Sequence, residues 1–153
     1  MLIAGACGEA AIDTSGARWV RVIQDPNYVI YLDTAMIRHR PDHSYRRIDA
    51  YEVLYRTDHA LPRELKGTTF TREVVQSIVL CDSLWFRVAS VDMSMGDGKP
   101  VAIQRLEDHE LARQAWRRVE LGTSEEVAAR AACHFIARRR WPPAKAEPAT
   151  VRP

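Results

Sequence analysis

The stretch that most constrains the fold covers residues 74–91, with the sequence VVQSIVLCDSLWFRVASV. Valine, isoleucine, leucine and aromatic side chains dominate it, and neither proline nor glycine interrupts it. Side chains of these types pack well on a pleated sheet. The composition therefore predicts two long, well-packed strands, at residues 72–81 and 84–92, which form the central pair of a sheet.

Strand patterns also precede this central pair. Residues 18–24 and 28–33 are two runs of strand-forming residues, and the turn sequence Asp25-Pro26-Asn27 joins them. Proline presets the turn and asparagine tolerates a left-handed backbone, so a β-hairpin is expected here. Residues 44–57 form a longer strand pattern with mixed faces, which predicts a bulge or a strand partly covered on both sides.

Turn signals divide the rest of the predicted sheet. Residues 58–71 hold a proline and a glycine among charged residues, which predicts a long surface loop. Gly96-Asp97-Gly98 is a strong turn signal, and residues 100–106 can form the strand that returns from it. Residues 107–115 predict a loop or a turn or two of helix, and residues 116–121 a last short strand.

The clearest helix signal lies near the carboxyl end. Thr123 followed by Glu126 predicts an N-terminal capping box, and residues 127–140 are rich in alanine, a strong helix former. Three arginines at 138–140 suit the negative end of a helix, and Pro142-Pro143 ends it. Small alanine side chains let such a helix lie close to a sheet.

In the predicted order of elements the strands come first and one helix comes last. This order predicts an α+β protein, an antiparallel sheet of about six strands with the C-terminal helix packed on one face. A length of 153 residues suits one domain. We expect that domain at residues 18–141, with disordered segments at 1–17 and 142–153.

Charge and hydropathy give no general support for two classes of partner, nucleic acids and membranes. The chain has 22 basic and 20 acidic residues, a net charge of +2, which gives no general case for binding nucleic acid or an anionic membrane. No apolar run approaches the roughly 18 residues that a membrane-spanning helix needs. Neither partner is therefore expected, apart from a membrane reached through a lipid anchor.

The first seven residues, MLIAGAC, read like the end of a lipoprotein signal peptide that precedes a lipid-bearing Cys7. The basic start and long apolar stretch of a complete signal are missing. The alternative is an apolar tail with a free thiol. Of the three cysteines, an exported protein would use one for the lipid and two for a disulfide, whereas a cytosolic protein would keep all three reduced.

Catalytic and metal-binding patterns are missing. His39 and His43 are separated by Pro41, so they do not share a helix face, and no second pair of ligands completes a metal site. There is no Gly-x-Ser-x-Gly nucleophile sequence and no glycine-rich phosphate loop. We therefore expect a protein that is not an enzyme and that carries no cofactor or metal.

An ordered set of residues resembles a known family, the surface-adhesin protein E family of Gram-negative envelope proteins. The set runs through Trp19, residues 31–33, Cys81-Asp82, Gly96, Gly98, Trp116, residues 122–124 and Cys133. The chain departs from the family pattern in two respects: Cys81 precedes its aspartate, where the reverse order is expected, and the signal sequence is incomplete.

The resemblance implies a small antiparallel sheet whose C-terminal helix is tied to it by a disulfide, which maps here to Cys81 and Cys133. Such a bond would close a separation of 52 residues. In the chain-entropy model that is worth about 4 kcal/mol. Two buried free cysteines are the alternative. The resemblance also implies an exported protein of the periplasm or outer membrane that binds host extracellular-matrix or serum proteins.

Candidate binding residues lie on the sheet face predicted to point away from the helix. Aromatic and arginine side chains are common in protein interfaces. The candidates are Tyr45, Arg46, Tyr51, Trp85 and Arg87. The alternative is that half of them pack in the core. The basic residues 138–140 with Trp141 form a second candidate surface for nucleic acid or anionic lipid, although helix capping and solubility explain the three arginines more simply.

The sequence thus predicts a non-enzymatic envelope protein that contacts a protein partner, or a second copy of itself, through the sheet face. The alternative is a structural or stress-related envelope component. A third hypothesis is a cytosolic nucleic-acid-associated domain that uses the basic C-terminal cluster.

Overall fold

The central feature of the fold is a single sheet of eight antiparallel strands. The computed structural model describes residues 11–139. The strands are β1 (Trp19–Gln24), β2 (Tyr28–Asp33), β3 (Arg38–His39), β4 (Ala50–Leu65), β5 (Thr68–Leu80), β6 (Trp85–Ser94), β7 (Pro100–Arg105) and β8 (Arg117–Arg118). The helices are α1 (Asp108–Arg113) and α2 (Ser124–Arg139), and a short 3-10 turn covers Pro41–His43.

Strand order follows chain order closely. The main path is β1-β2-β4-β5-β6-β7, while β3 pairs with β4 and β8 pairs with β6. Consecutive long strands are therefore joined as hairpins, which bring sequence neighbours together. The predicted fold class, an antiparallel sheet with one C-terminal helix on a face, is confirmed.

Helix α2 packs on one side of the sheet, which we call the helix face. Leu32, Val53, Val79 and Phe86 of the sheet form a buried cluster with α2 residues that include Ala129, Ala132 and Ile136. Ala132 is fully buried, because its small side chain lets the helix approach the strands closely. The predicted disulfide joins Cys81 to Cys133, with 5.4 Å between the Cα atoms.

The start of α2 is capped as the sequence predicts, with one difference. Thr123 Oγ1 accepts a hydrogen bond from the Glu126 N–H at 3.3 Å. The Glu126 carboxylate accepts from the Gly122 N–H at 2.7 Å, one residue before the position of a standard capping box. This bond, together with Arg130, lowers the pKa of Glu126.

The opposite side of the sheet, which we call the outer face, carries a second apolar cluster. Ala50, Ile78 and Leu80 are buried there under Leu111 of α1. Six partly buried residues surround them: Tyr45, Ile48, Trp85, Ala89, Leu106 and Trp116. Both faces of the central strands are therefore covered at this end of the sheet.

Two sequence predictions about β4 and β5 are wrong. The expected surface loop at 58–71 is a continuation of the hairpin, because β4 runs to Leu65 and β5 begins at Thr68. A bulge between Asp58 and Arg63 accommodates Pro62, which cannot donate a ladder hydrogen bond. The expected strand at 44–57 begins only at Ala50, since the residues before it form a tight turn.

Several predictions fall on parts of the chain outside the described residues. These are the lipidation of Cys7, the end of the helix at Pro142-Pro143 and the tail at 142–153. Within the described part, the Ile12 N–H donates a hydrogen bond of 2.6 Å to the Asp92 carboxylate. Neither helix in residues 11–139 combines the length and the apolar character that crossing a bilayer requires.

Candidate functional site

The turn before β4 holds two arginines in an unusual backbone conformation. Tyr45 and Ile48 exchange backbone hydrogen bonds of 3.1 and 2.8 Å, which leaves Arg46 and Arg47 as the two central residues. Their φ angles are +47° and +68°. Positive φ at both central positions is the pattern of a type I′ turn, which strongly prefers Asn-Gly. We call residues 45–48 the arginine turn.

An aromatic and arginine cluster surrounds this turn. The Tyr45 ring stacks on Trp85 with 6.1 Å between centroids. The Arg46 guanidinium lies 5.2 Å from the centroid of the Tyr45 ring, and that of Arg87 lies 4.1 Å from the Trp116 ring. Cation–π contacts of this kind hold the side chains in place. These five residues form what we call the outer patch.

Four of the five sequence-predicted candidates, Tyr45, Arg46, Trp85 and Arg87, thus come together on the outer face. Arg46 is exposed, and the other three are partly exposed. Burial lowers the pKa of Arg87 from its usual value, yet an arginine stays charged at physiological pH. The outer patch therefore presents charge beside aromatic rings.

The fifth candidate, Tyr51, lies on the helix face and not on the outer face. It is 6% exposed and belongs to the core cluster under α2. Successive side chains in a strand alternate between faces, and Ala50 before it lies in the cluster of the outer face. The shared parity of Tyr45 and Tyr51 had suggested one face, but the arginine turn between them breaks the alternation.

Trp116 belongs to the outer patch although sequence reasoning did not select it. It lies just before β8, which pairs with β6 through Phe86 and Trp85. The sequence predicts a short strand at residues 116–121, and β8 covers two of these residues, but no local pattern indicates that it pairs with β6. The residue was recognised as a point of family resemblance, and only the long-range pairing brings it beside Arg87.

Polar residues in the middle of the outer face satisfy one another. The Arg40 guanidinium contacts Glu52 at 2.5 Å, and Gln76 donates to Glu52 at 2.9 Å. Ser90 in turn donates to Gln76 at 3.1 Å. Because each group in this row already has a partner, the row reads as a structural network.

A second aromatic and arginine cluster lies near the start of the described chain. Arg56 lies over the rings of Trp19 and Tyr31, at 5.1 and 4.3 Å from the centroids. Its guanidinium also contacts Asp58 at 3.2 Å, and Asp58 accepts a hydrogen bond of 2.6 Å from Arg72. Both charges of Arg56 and Arg72 are thus paired within the fold, unlike those of the arginine turn.

The histidines give no catalytic arrangement. His39 lies 3.1 Å from Asp49 and His59 lies 3.1 Å from Glu73, while His43 is buried beside Asp42. Each of these is a single histidine–carboxylate pair. Within residues 11–139 no group of three or more histidine, cysteine or acidic side chains is arranged to hold a metal ion. His109 and His134 are exposed.

Comparison with known proteins identifies a matching family and a similar solved structure. The family model described as surface-adhesin protein E matches residues 19–134. The crystal structure of protein E from non-typeable Haemophilus influenzae is similar, with 12% sequence identity, 78% of each chain covered and a TM-score of 0.44. Among curated proteins no sequence matches.

Proposed function

The chain belongs to the surface-adhesin protein E family, and from that premise we propose that it binds an extracellular protein through the outer patch. Family membership makes it an adhesin-like protein of the cell envelope. The finer proposal is that Tyr45, Arg46, Trp85 and Arg87 contact the partner, without enzymatic chemistry. Arg47, the second central residue of the arginine turn, extends the same surface.

The observation that carries this proposal is the backbone of the arginine turn. A side chain other than glycine in the left-handed region costs on the order of 1 kcal/mol, and here two successive residues adopt it. Asparagine and glycine would form the same turn at lower cost. Strained residues cluster at functional sites, so the two arginines are best explained by what they contact.

The chemistry of the patch indicates the kind of partner. Arg46 and Arg47 are both exposed, and neither forms an ion pair with another residue of the range 11–139. Tyr45 and Trp85 are rigid rings, partly exposed, that provide contact area at low entropic cost. Tryptophan, tyrosine and arginine dominate the energetics of protein interfaces. We therefore propose a protein partner with an acidic surface beside an apolar one.

The test separates binding from folding. In the double variant Arg46→Asn/Arg47→Gly, we expect the free energy of unfolding to rise by about 1–2 kcal/mol, because the turn strain is relieved. Affinity for the partner should fall at least tenfold, because both guanidinium groups are lost. Binding is measured against immobilised extracellular-matrix and serum proteins, and stability by chemical denaturation.

The matched control is Lys66→Asn in the turn that joins β4 to β5. Lys66 also has a positive φ, of +49°, but it lies at the far tip of that hairpin. This variant should relieve turn strain and leave binding unchanged. If the double arginine variant binds every captured partner as well as the natural sequence does, the outer patch is not the contact surface. If no matrix or serum protein binds the natural chain, a structural envelope role is favoured instead.

A further inference from the structure

A cavity lies where the sheet extends past the amino-terminal end of α2, on the helix face. Its volume is about 650 Å³. Strands β2, β4 and β5 supply its floor, the first turn of α2 one wall and the bulged part of β4 another. The lining residues are Asn27, Tyr28, Thr57, His59, Leu61, Pro62, Arg63, Glu73, Gly122, Ser124 and Glu125. We call this the end cavity; it lies on the face opposite the outer patch.

Strand register explains why polar groups gather on the floor. Thr57 pairs with Glu73 and Tyr28 pairs with His59 across neighbouring strands, so these four side chains share the helix face. The helix covers that face only as far as Tyr55, which packs against Ala128. Beyond that point α2 no longer covers the floor, where Tyr28, His59 and Glu73 are partly exposed and Thr57 lies buried between them.

Thr57 is the residue that points to a ligand. Its side chain is 1% exposed, and its Oγ1 has no hydrogen-bond partner among the described residues. Leaving a buried hydroxyl unpaired costs free energy, and folding gains nothing from it. Valine has the same shape and would fill the position without that cost. A hydroxyl kept at the floor of a cavity is suited to bind what enters it.

The first turn of α2 adds a second set of groups. Helix N-terminal N–H groups lack intrahelical partners, and Ser124 and Glu125, the first two residues of α2, line the cavity. The Glu125 carboxylate lies 3.5 Å from Ser124 Oγ. The start of α2 therefore brings both donor and acceptor groups to this end of the cavity.

The titratable groups that line the end cavity are the carboxylates of Glu73 and Glu125 and the basic side chains of His59 and Arg63. His59 and Glu73 form a pair with 3.1 Å between Nε2 and Oε2. Arg63 and the positive end of α2 offset Glu125. The remaining wall, from Tyr28, Leu61 and Pro62, is apolar. A ligand that suits this lining is uncharged, rich in hydrogen-bonding groups and apolar on one side.

We propose that the end cavity binds a neutral saccharide, a ring with hydroxyl groups at its edge and an apolar C–H face. Thr57, Glu125 and the first N–H groups of α2 bind the hydroxyls, and Tyr28 with Leu61 and Pro62 contacts the apolar face. The cavity size suits a mono- or disaccharide. This site is separate from the outer patch, so either proposal stands if the other fails.

The probe is N-acetylglucosamine together with its β1,4-linked disaccharide, added to the full chain and followed by backbone amide NMR. Saturable shifts are expected at Thr57, Glu73 and Ser124. Glucuronic acid and glucosamine, the anionic and cationic relatives of the probe, should bind at least tenfold more weakly. Absence of saturable shifts with every neutral sugar, or tighter binding of a charged relative, overturns the proposal.

Thr57→Val removes the hydroxyl and keeps the shape. We expect about tenfold weaker binding of the disaccharide, with an unfolding temperature equal to or above that of the natural chain. Thr57→Ser should retain binding, and Thr69→Val, an exposed site on β5 outside the cavity, should change nothing. Unchanged affinity in the valine variant, or a large loss of its stability, shows that Thr57 serves the fold and not a ligand.

Discussion

Asp92 on β6 is a carboxylate that folding buries, which disfavours its charged form. It is 8% exposed, and one of its oxygens has no partner among the described residues. Burial raises its pKa above the ordinary value of 3.8, although the Ile12 N–H acts in the opposite direction. A raised pKa means that the ionised form is less stable in the folded chain than in the unfolded chain.

Replacing Asp92 by asparagine should therefore stabilise the protein at neutral pH. The amide keeps an oxygen for the Ile12 N–H and removes the buried charge, so a gain on the order of 1 kcal/mol is expected. As the pH falls through the raised pKa towards 3.8, the natural carboxyl becomes neutral and the gain should vanish. Chemical denaturation of both proteins between neutral pH and the raised pKa measures this gain in unfolding free energy. A gain that is independent of pH would contradict this explanation.

Residue positions on the sheet were predictable wherever a strand was continuous. Trp85 and Arg87 are two apart in one unbroken strand, and they share the outer face as expected. Tyr51 was placed on the wrong face because the turn at Arg46 and Arg47 lies in a sequence typical of a strand. Arginines in a type I′ turn are rare, so the sequence carried no signal for it.

At the scale of elements, we expect α2 to depend on the disulfide more than on its own packing. Its buried side chains are Ala128, Ala129, Ala132 and Ile136, and three alanines bury little apolar area. Cys81 and Cys133 join this helix to the end of β5 across 52 residues of sequence. The covalent bond therefore limits how far the unfolded chain can separate the helix from its sheet.

The double variant Cys81→Ala/Cys133→Ala should lose about 4 kcal/mol of unfolding free energy, by the chain-entropy account. Small domains are stable by roughly 5–15 kcal/mol, so this loss is a large fraction of the total. Urea denaturation of the oxidised natural chain, the reduced natural chain and the variant measures it. Alkylation with peptide mapping shows beforehand that the bond is formed. Equal stability of all three would mean that packing alone holds α2.

The hairpin of β4 and β5 is the element that the sequence predicted least well. Pro62 and Gly67 among charged residues predicted a long loop, yet β4 continues past Pro62 to Leu65, and Gly67 lies in the tight turn that follows. Lys66 and Gly67 both have positive φ and form a two-residue turn between Leu65 and Thr68. Twelve paired positions join the two strands, and this non-local pairing outweighs the local turn signals. The bulge in β4 between Asp58 and Arg63 also shapes the end cavity. Because the sequence did not predict this bulge, it did not predict the cavity either.

At the scale of the whole molecule, we propose that Cys7 carries a lipid that holds the protein at a membrane. Expressed behind a lipoprotein signal peptide in a Gram-negative host, the natural chain should fractionate with membranes and gain the mass of a lipid. Cys7→Ser should abolish both while the Cys81–Cys133 bond still forms. Membrane association that persists in this variant would contradict a lipid anchor at Cys7.

The contact between Ile12 and Asp92 sets the length of the tether that such an anchor would have. Each residue spans at most about 3.6 Å, so a lipid at Cys7 would be joined to Ala11 by a tether of at most about 15 Å. Along β6, Trp85 lies seven residues from Asp92, which at the rise of a strand is about 23 Å. A tether this short, attached at one end of the sheet, would hold that end close to the membrane. The arginine turn would then point outward, towards whatever approaches the cell.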